Sequence, residues 1–187
     1  MERVSVEDER TIEFQIGRTP RGLSAISRRC GYGFPQVVRV HPIVEGSPFP
    51  TLYWLTCPFL AGKVDRLEAD GWIGRFEARL TSDPELAARL RADGMEYVRE
   101  RTALLSKEER ATVADRGWTE SLFERGIGGI ADRRRIKCLH AHAAHALATR
   151  NPIGSLVLSM LDRIECPPEE VICSARSGAE QIDQINR

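Results

Sequence analysis

The sequence predicts an α+β fold that is mostly helical, with a small antiparallel sheet near the N-terminus. Two observations lead to this class. The segments 36–41 (QVVRVH) and 51–57 (TLYWLTC) are rich in β-branched and aromatic residues and bounded by proline, which is typical of strands. From Pro58 onward, apolar residues recur at helical spacing between helix start and stop signals.

The 187 residues suit one domain, which can bury a core without disulfide support. We divide the chain into a polar lead-in (1–16), an α+β domain (17–173) and a polar tail (174–187) that we expect to be disordered. The stretch GRTPRGLSAISRRCGYGFPQ (17–36) is rich in Gly, Pro and Ser and is predicted to form loops and turns. The two strands that follow are expected to pair as a hairpin across PIVEGSPFP.

The first half of the helical region is predicted from its interruptions. A helix that begins at Pro58 should break at Asp70-Gly71. Asp83 is then an N-cap with proline at the first helical position, and the helix that it begins should run to about Leu104.

The second half contains three further helices. Ser106 and Glu109 fit a capping box for a short helix. GIGGI (126–130) is predicted to be a turn, and Asp132 is expected to cap the helix after it. Asn151, followed by proline, should end that helix and begin another that reaches about Glu165.

Composition excludes several classes of protein. The 27 basic and 27 acidic residues give a net charge of zero, so nucleic acid is not an expected partner. No apolar run of about eighteen residues predicts a membrane span, and the first ten residues lack the pattern of a signal peptide. Five cysteines without a CxxC pair favour reduced thiols, and we expect a cytoplasmic protein. Protein partners stay open.

A metal site is indicated by KCLHAHAAH (137–145). On a helical wheel, Cys138, His142 and His145 share one face, whereas His140 lies on the opposite side. Thiolate and neutral imidazole are standard zinc ligands. The alternative is structural: a row of such side chains is also typical of the polar face of a helix.

Zinc usually has four ligands, so another segment has to contribute one. Cys57 at the end of a predicted strand is the first candidate and Cys30 the second, with iron or an iron–sulfur cluster as the alternative cofactor. Cys166 and Cys173 flank a turn-prone segment and are expected to be close, as a disulfide or as paired ligands. A different interpretation makes Cys138 a nucleophile whose pKa is lowered by the basic run 133–137.

Arginines in the predicted loop form a candidate anion site: Arg18, Arg21, Arg28 and Arg29. Guanidinium groups bind phosphate in bidentate fashion, and we expect at least two of these to face a cleft over Cys138 and His142. Alternatively they are solvated, or are paired with acids of the helices such as Glu68, Glu77 and Asp83.

Several motifs together resemble a known bacterial family, catalogued as a domain of unknown function, number 501. They are GRTPRG, RCGYGFPQVV, PFPTLYWLTCP, GIGGI, KCLHAHAAHALA and NPIG, with the terminal cysteine pair, and they cover about residues 15–173. The resemblance implies a cytoplasmic bacterial protein and no known activity. Because the motifs include the candidate residues above, the resemblance also favours His140 as a site residue.

We therefore expect a metal-binding protein, and as an enzyme a metal-assisted hydrolase that acts on a phosphate-bearing small molecule. The alternative is a non-catalytic module that binds phosphate, nucleotide or a protein, with structural cysteines.

Overall fold

The computed structural model describes residues 2–174 and confirms the α+β class. Three strands form an antiparallel sheet in the order β1-β2-β5: β1 (Leu23–Arg29), β2 (Pro35–Val40) and β5 (Tyr53–Leu55). A two-stranded ribbon, β3 (Ile43–Val44) and β4 (Ser47–Pro48), lies in the connection between β2 and β5.

Seven α-helices surround this sheet in the described part of the chain. Their bounds are α1 (Val6–Ile16), α2 (Pro58–Ala69), α3 (Trp72–Ser82), α4 (Pro84–Ala103), α5 (Lys107–Asp115), α6 (Leu139–Ala148) and α7 (Pro152–Ser159). A π-helical turn (Glu120–Glu124) and two 3₁₀ turns (Ile127–Gly129 and Ile172–Ser174) complete the structure. No described helix combines the length and the apolar character that crossing a bilayer requires.

The predicted hairpin is confirmed, because β2 and β5 pair antiparallel with Val37 opposite Leu55 and Val38 opposite Trp54. Alternate residues of β2 pack in two different hydrophobic cores. Val37 belongs to the main core with α2, α4 and α6, whereas Val38 packs with Ile12 of α1. The sheet is thus covered on both faces, which places β5 directly against α6.

One loop prediction was wrong. Residues 23–29, expected to be loop and turn, form strand β1, which pairs with β2 through an irregular register. The polar lead-in (1–16) contains α1, whose capping box at Ser5 and fully buried Ile12 attach it to the sheet. Apart from Ser174, the predicted tail lies outside the described residues.

Most predicted helix caps are confirmed. Asp83 accepts the Leu86 N–H at 2.9 Å and begins α4, and Ser106 and Glu109 form the capping box of α5. Asn151 begins α7, although that helix ends at Ser159 instead of near residue 165. Asp132 does not cap α6, because its carboxylate accepts the Arg134 N–H at 3.0 Å in a local turn. The helix begins only at Leu139.

Candidate metal centre and adjoining cleft

The late start of α6 decides where its cysteine and histidines point. Cys138 is the N-cap, with extended backbone, and its sulfur accepts the Ala141 N–H at 3.4 Å. A cap residue does not continue the helical wheel, so Cys138 does not share a face with His142 and His145.

Glu68 of α2 brings Cys138 and His140 together. Ligand atoms of these three residues all lie within 4.8 Å of one another, and no other set of three or more Cys, His, Asp or Glu residues in 2–174 meets that criterion. The His140 Nδ1 is 3.1 Å from Glu68 Oε1, which also accepts the backbone N–H of Leu139. One carboxylate oxygen therefore binds both the histidine and the amino end of α6.

The other ring nitrogen of His140 faces a second carboxylate. Its Nε2 lies 3.2 Å from Asp65 Oδ1 and 3.3 Å from the carbonyl oxygen of Ala61. Since Ala61, Asp65 and Glu68 follow one another at i, i+4 and i+7, one stripe of α2 faces this imidazole. A carboxylate that accepts the second ring N–H is the usual partner of a metal-binding histidine.

The Cys138 thiol is not activated as a nucleophile. Burial and the Glu68 carboxylate raise its pKa, and this outweighs the opposing effect of the Ala141 N–H and Lys137. His140 cannot serve it as a free base, because both ring nitrogens face oxygen atoms. The basic run 133–137 thus does not produce the lowered thiol pKa that the nucleophile interpretation requires.

A cleft of about 260 Å³ adjoins the three residues. Its walls combine aromatic side chains with polar groups: Phe49, Thr51, Tyr53, Trp54, Leu55, Gly128, Lys137, Cys138, His140 and Ala141. The strand β5 and the start of α6 form facing walls, so the packing of the sheet against α6 creates the space.

His142 and His145 lie in the core instead. Asn151 bridges them: its Oδ1 is 3.1 Å from His142 Nδ1, and its amide nitrogen is 3.2 Å from His145 Nδ1. Burial lowers the pKa of His142 to about 4 and that of His145 to about 3, the latter also through repulsion from His142. His145 also stacks on Tyr53, with ring centroids 5.8 Å apart. Both are neutral and satisfied within the α6–α7 packing.

The two predicted cysteine ligands outside α6 are not part of this group. Cys57 is the buried N-cap of α2, and burial raises its thiol pKa to about 11. Cys30 lies at the turn after β1. Neither joins Glu68, Cys138 and His140 within the 4.8 Å limit.

The four arginines between residues 18 and 29 likewise do not form one group. Arg29 pairs with Asp8 at 2.7 Å and Glu2 at 2.8 Å, and Arg21 pairs with Glu45 at 2.7 Å. Arg28 is exposed. Arg18 stacks on Trp54 with its guanidinium 4.9 Å from the ring centroid, but none of the four arginines lines the cleft itself. The helix acids serve elsewhere: Glu77, for example, binds Arg135.

Sequence reasoning missed Asp65 and Glu68 as site residues. The spacing of Ala61, Asp65 and Glu68 along α2 marks a face with two carboxylates, and this signal was available. The sequence does not show that this face of α2 packs on the amino end of α6, because 72 positions separate Glu68 from His140.

Comparisons with known proteins extend the resemblance seen in the motifs. No curated protein and no solved structure matches the chain significantly. The model of one family, described as "Protein of unknown function (DUF501)", matches residues 26–159, which is more than half of the chain and includes the candidate metal centre. The chain therefore belongs to this family.

Proposed function

We propose that the chain binds a zinc ion through Glu68, Cys138 and His140 and uses it to hydrolyse an anionic, phosphate-bearing substrate in the adjoining cleft. One observation carries the proposal. The ligand atoms of these three residues lie within 4.8 Å of one another at the edge of a cleft that two of them line.

The donor set suits zinc. Thiolate, imidazole and carboxylate are all zinc ligands, and three protein ligands with a free fourth position are typical of catalytic sites. Both hydrogen bonds of Glu68 are made by Oε1, so Oε2 is the oxygen that can turn to an ion. The contact between Asp65 and His140 Nε2 fixes the ring, so Nδ1 is the nitrogen that would bind the ion in place of its present hydrogen bond to Glu68.

The cleft suits a substrate with an aromatic part and an anionic part. Phe49 and Trp54 offer ring surfaces, and Lys137 supplies a cation in the same wall as Cys138. Arg18 stacks on Trp54 but does not line the cleft, so Lys137 is the cationic group of the cleft. A cation of this kind binds phosphate oxygens through charge-assisted hydrogen bonds.

In this mechanism the residues of the chain position the anionic group of the substrate and neutralise its charge. A zinc ion held by Glu68, Cys138 and His140 would supply a bound water of lowered pKa. Lys137 holds the anionic group and offsets the charge that develops as water adds and the leaving group departs with a proton. Asp65, through His140, keeps the ligand geometry fixed.

A second candidate function is a non-catalytic module for phosphate-bearing ligands. It is favoured by the capping contacts of the same residues, because Cys138 and Glu68 already bind the Ala141 and Leu139 N–H groups. In that case the thiol and carboxylate are helix caps, and the cleft with Lys137 in its wall is only a binding site.

Metal content distinguishes the two candidates. Purified protein and the variants Cys138→Ala and His140→Ala are to be analysed for zinc per chain after dialysis against a weak chelator. The proposal expects each variant to contain one zinc ion fewer per chain than the wild type. His41→Ala is the matched control, since His41 pairs with Glu109 outside the group and its loss should not change the zinc content.

Activity is then measured with phosphomonoesters, phosphodiesters, nucleotides and inorganic polyphosphate. We expect zinc-dependent hydrolysis of at least one class, with at least a tenfold loss in Lys137→Ala. Zinc content equal in wild type, Cys138→Ala and His140→Ala would contradict the metal site. Ligand binding without metal and without turnover would establish the second candidate instead.

We further propose that the protein works in the bacterial cytoplasm. Its five cysteines are all free, and a Cys138 thiol must stay reduced to bind zinc. Fractionation of cells that produce the chain, with thiol labelling of each fraction, tests this placement. Recovery in the periplasm or membrane fraction would contradict it.

A further inference from the structure

An irregular segment after α7 returns to the end of the three-stranded sheet. It makes three hydrogen bonds there: the Gly31 N–H to Glu165 Oε1 at 3.0 Å, the Tyr32 hydroxyl to the Cys166 carbonyl at 3.1 Å, and the Gln36 amide to the Ile164 carbonyl at 2.8 Å. The segment is thus docked on the turn between β1 and β2. This contact brings Cys166 beside the turn that carries Cys30.

Two further cysteines reach the same end of the sheet. Gln15 of α1 donates both to the Pro35 carbonyl at 2.7 Å and to the Cys173 sulfur at 3.3 Å. The Cys57 N–H donates to the Gln36 carbonyl, next along β2, at 3.4 Å. Four cysteines from three distant parts of the chain therefore surround the first residues of β2.

Electrostatic effects among the thiols agree with this convergence. After burial, which is the largest cause, the neighbouring Cys166 and Cys173 contribute to the raised pKa of Cys57. Cys30 and Cys166 contribute in the same way to the raised pKa of Cys173. Groups influence one another in this way only at short range.

An N–H donor is already directed at one of these sulfurs. The Gln15 amide donates to Cys173, whereas Cys57 occupies the N-cap position of α2 without a side-chain capping hydrogen bond. Donors of this kind stabilise thiolates, whether free or bound to a metal. The amide oxygens of Gln15 and Gln36 are buried at the same place without a hydrogen-bond partner, so this part of the core is polar and incompletely satisfied.

We propose that Cys30, Cys57, Cys166 and Cys173 bind one zinc ion as four thiolates in a closed, structural site. It is separate from the centre of the proposed function and does not depend on it. In the described structure no three of these sulfurs are all within 4.8 Å of one another. Four Zn–S bonds of about 2.3 Å would draw them to about 3.8 Å, as each thiol gives its proton to solvent.

The site would serve to fasten the segment 160–174 to the sheet. Cys173 is the one buried residue in that segment, and Leu161 and Ile164 pack half-buried against the main core. A metal that joins the segment to Cys30 and Cys57 would close a loop of more than one hundred residues. Such closures give structural metals a large effect on folding.

The test uses the full chain carrying Cys138→Ala, which removes the thiol of the other centre. Metal analysis after growth with added zinc should find one zinc ion per chain, and zinc X-ray absorption should find four sulfur neighbours at about 2.3 Å. Adding Cys166→Ser, a half-exposed position, should lower zinc affinity at least tenfold. Tyr32→Phe is the control: it loses the hydrogen bond to the Cys166 carbonyl, keeps all four thiols, and should keep the zinc.

Several outcomes overturn the proposal: Cys138→Ala protein that contains no zinc, a sulfur coordination number of two or less, or iron with sulfide at these residues. The two proposals fail separately. If only the four-cysteine site exists, wild-type protein shows one ion with four sulfur neighbours. If only the other centre exists, it shows one ion with mixed nitrogen, oxygen and sulfur neighbours, and Cys138→Ala is metal-free.

Discussion

At the scale of single residues, neighbouring histidines of one motif have opposite environments. His140 is partly exposed between two carboxylates, whereas His142 and His145 are buried around Asn151. The sequence revealed the motif but not this division. The helix was expected to begin directly after Asp132, whereas it begins at Leu139. A cap formed by a cysteine sulfur is not among the usual start signals, so Cys138 was assigned to the helix face.

The buried histidines predict a loss of stability in acid. In the unfolded chain both titrate near pH 6.5, whereas in the folded protein their pKa values are about 4 and about 3. Between these limits the unfolded chain binds more protons, so falling pH favours unfolding. Each histidine contributes about 1.4 kcal/mol per pH unit, and the pair about 3 kcal/mol per unit between pH about 6 and 4.

Urea unfolding at several pH values measures this slope. His142→Gln and His145→Gln should each remove about half of the slope, because each histidine contributes about half of the pH dependence. A change in stability that is the same at every pH does not alter the slope. His41→Gln, at a half-buried position outside the core, should leave it unchanged. A slope that persists in the double variant would show that other groups are responsible.

At the scale of elements, α6 and α7 approach unusually closely. A methyl group at Gly154 would lie 2.0 Å from the carbonyl oxygen of His142, which is backbone and cannot turn aside. Gly154→Ala should therefore destabilise the protein by about 3 kcal/mol or more. Gly74→Ala is the matched control: its Cβ meets nothing within 4 Å in α3, so it should stabilise by about 0.5–1 kcal/mol.

Chemical denaturation of both variants provides the measurement. Opposite signs of the change in unfolding free energy are the expected result. Equal effects at the two glycines would mean that α6 and α7 move apart without loss of stability. In that case the close packing that places Asn151 between the two histidines would not matter for stability.

Helices with cap signals were predictable, and strands without alternation were not. β2 and β5 have apolar runs, whereas β1 contains Ser, Arg and Ala, with Ile26 as its one β-branched residue. Its buried residues, Ala25 and Ile26, are adjacent because neighbouring side chains point to opposite faces of a sheet that is covered on both sides. This strand is stabilised by its pairing with β2 and by α1 above it, which are tertiary contacts that local propensity does not encode.

At the scale of the whole molecule, Arg101 joins three separate segments. Its guanidinium is fully buried and donates to the carbonyls of Leu122, Pro50 and Arg125 at 2.6–2.9 Å. Burial lowers its pKa to about 10, which shows that the charge is held at a cost. No carboxylate forms an ion pair with it among residues 2–174, so the carbonyls and the ring of Tyr97, whose centroid is 5.7 Å from the guanidinium carbon, offset that cost.

Arg101→Met should destabilise the protein by about 3 kcal/mol. Methionine relieves the buried charge, but it leaves three carbonyls without a donor at roughly 1–3 kcal/mol each, and the second effect is larger. Hydrogen exchange should also accelerate across residues 120–125. Arg99→Met on the same helix removes only an exposed pair with Glu96 and should change stability by less than about 0.5 kcal/mol.

An unchanged unfolding free energy in Arg101→Met would mean that the three segments pack without this side chain. Arg101→Lys adds a second comparison. It retains the charge but cannot donate to three carbonyls in fixed directions, so we expect it to resemble methionine more than wild type.

The docking of residues 164–173 on the sheet has a consequence for synthesis on the ribosome. The bond between Gln15 and Cys173 spans 158 positions, and the contacts of Ile164 and Glu165 span 128 and 134. At about 5–20 residues per second, the chain needs roughly 5–20 s to extend from Cys57 to Cys166. During that interval the hairpin can form, but its end lacks the segment that covers it. The nascent hairpin thus carries Cys30 and Cys57 before Cys166 and Cys173, the other two cysteines of the proposed zinc site, have been synthesised.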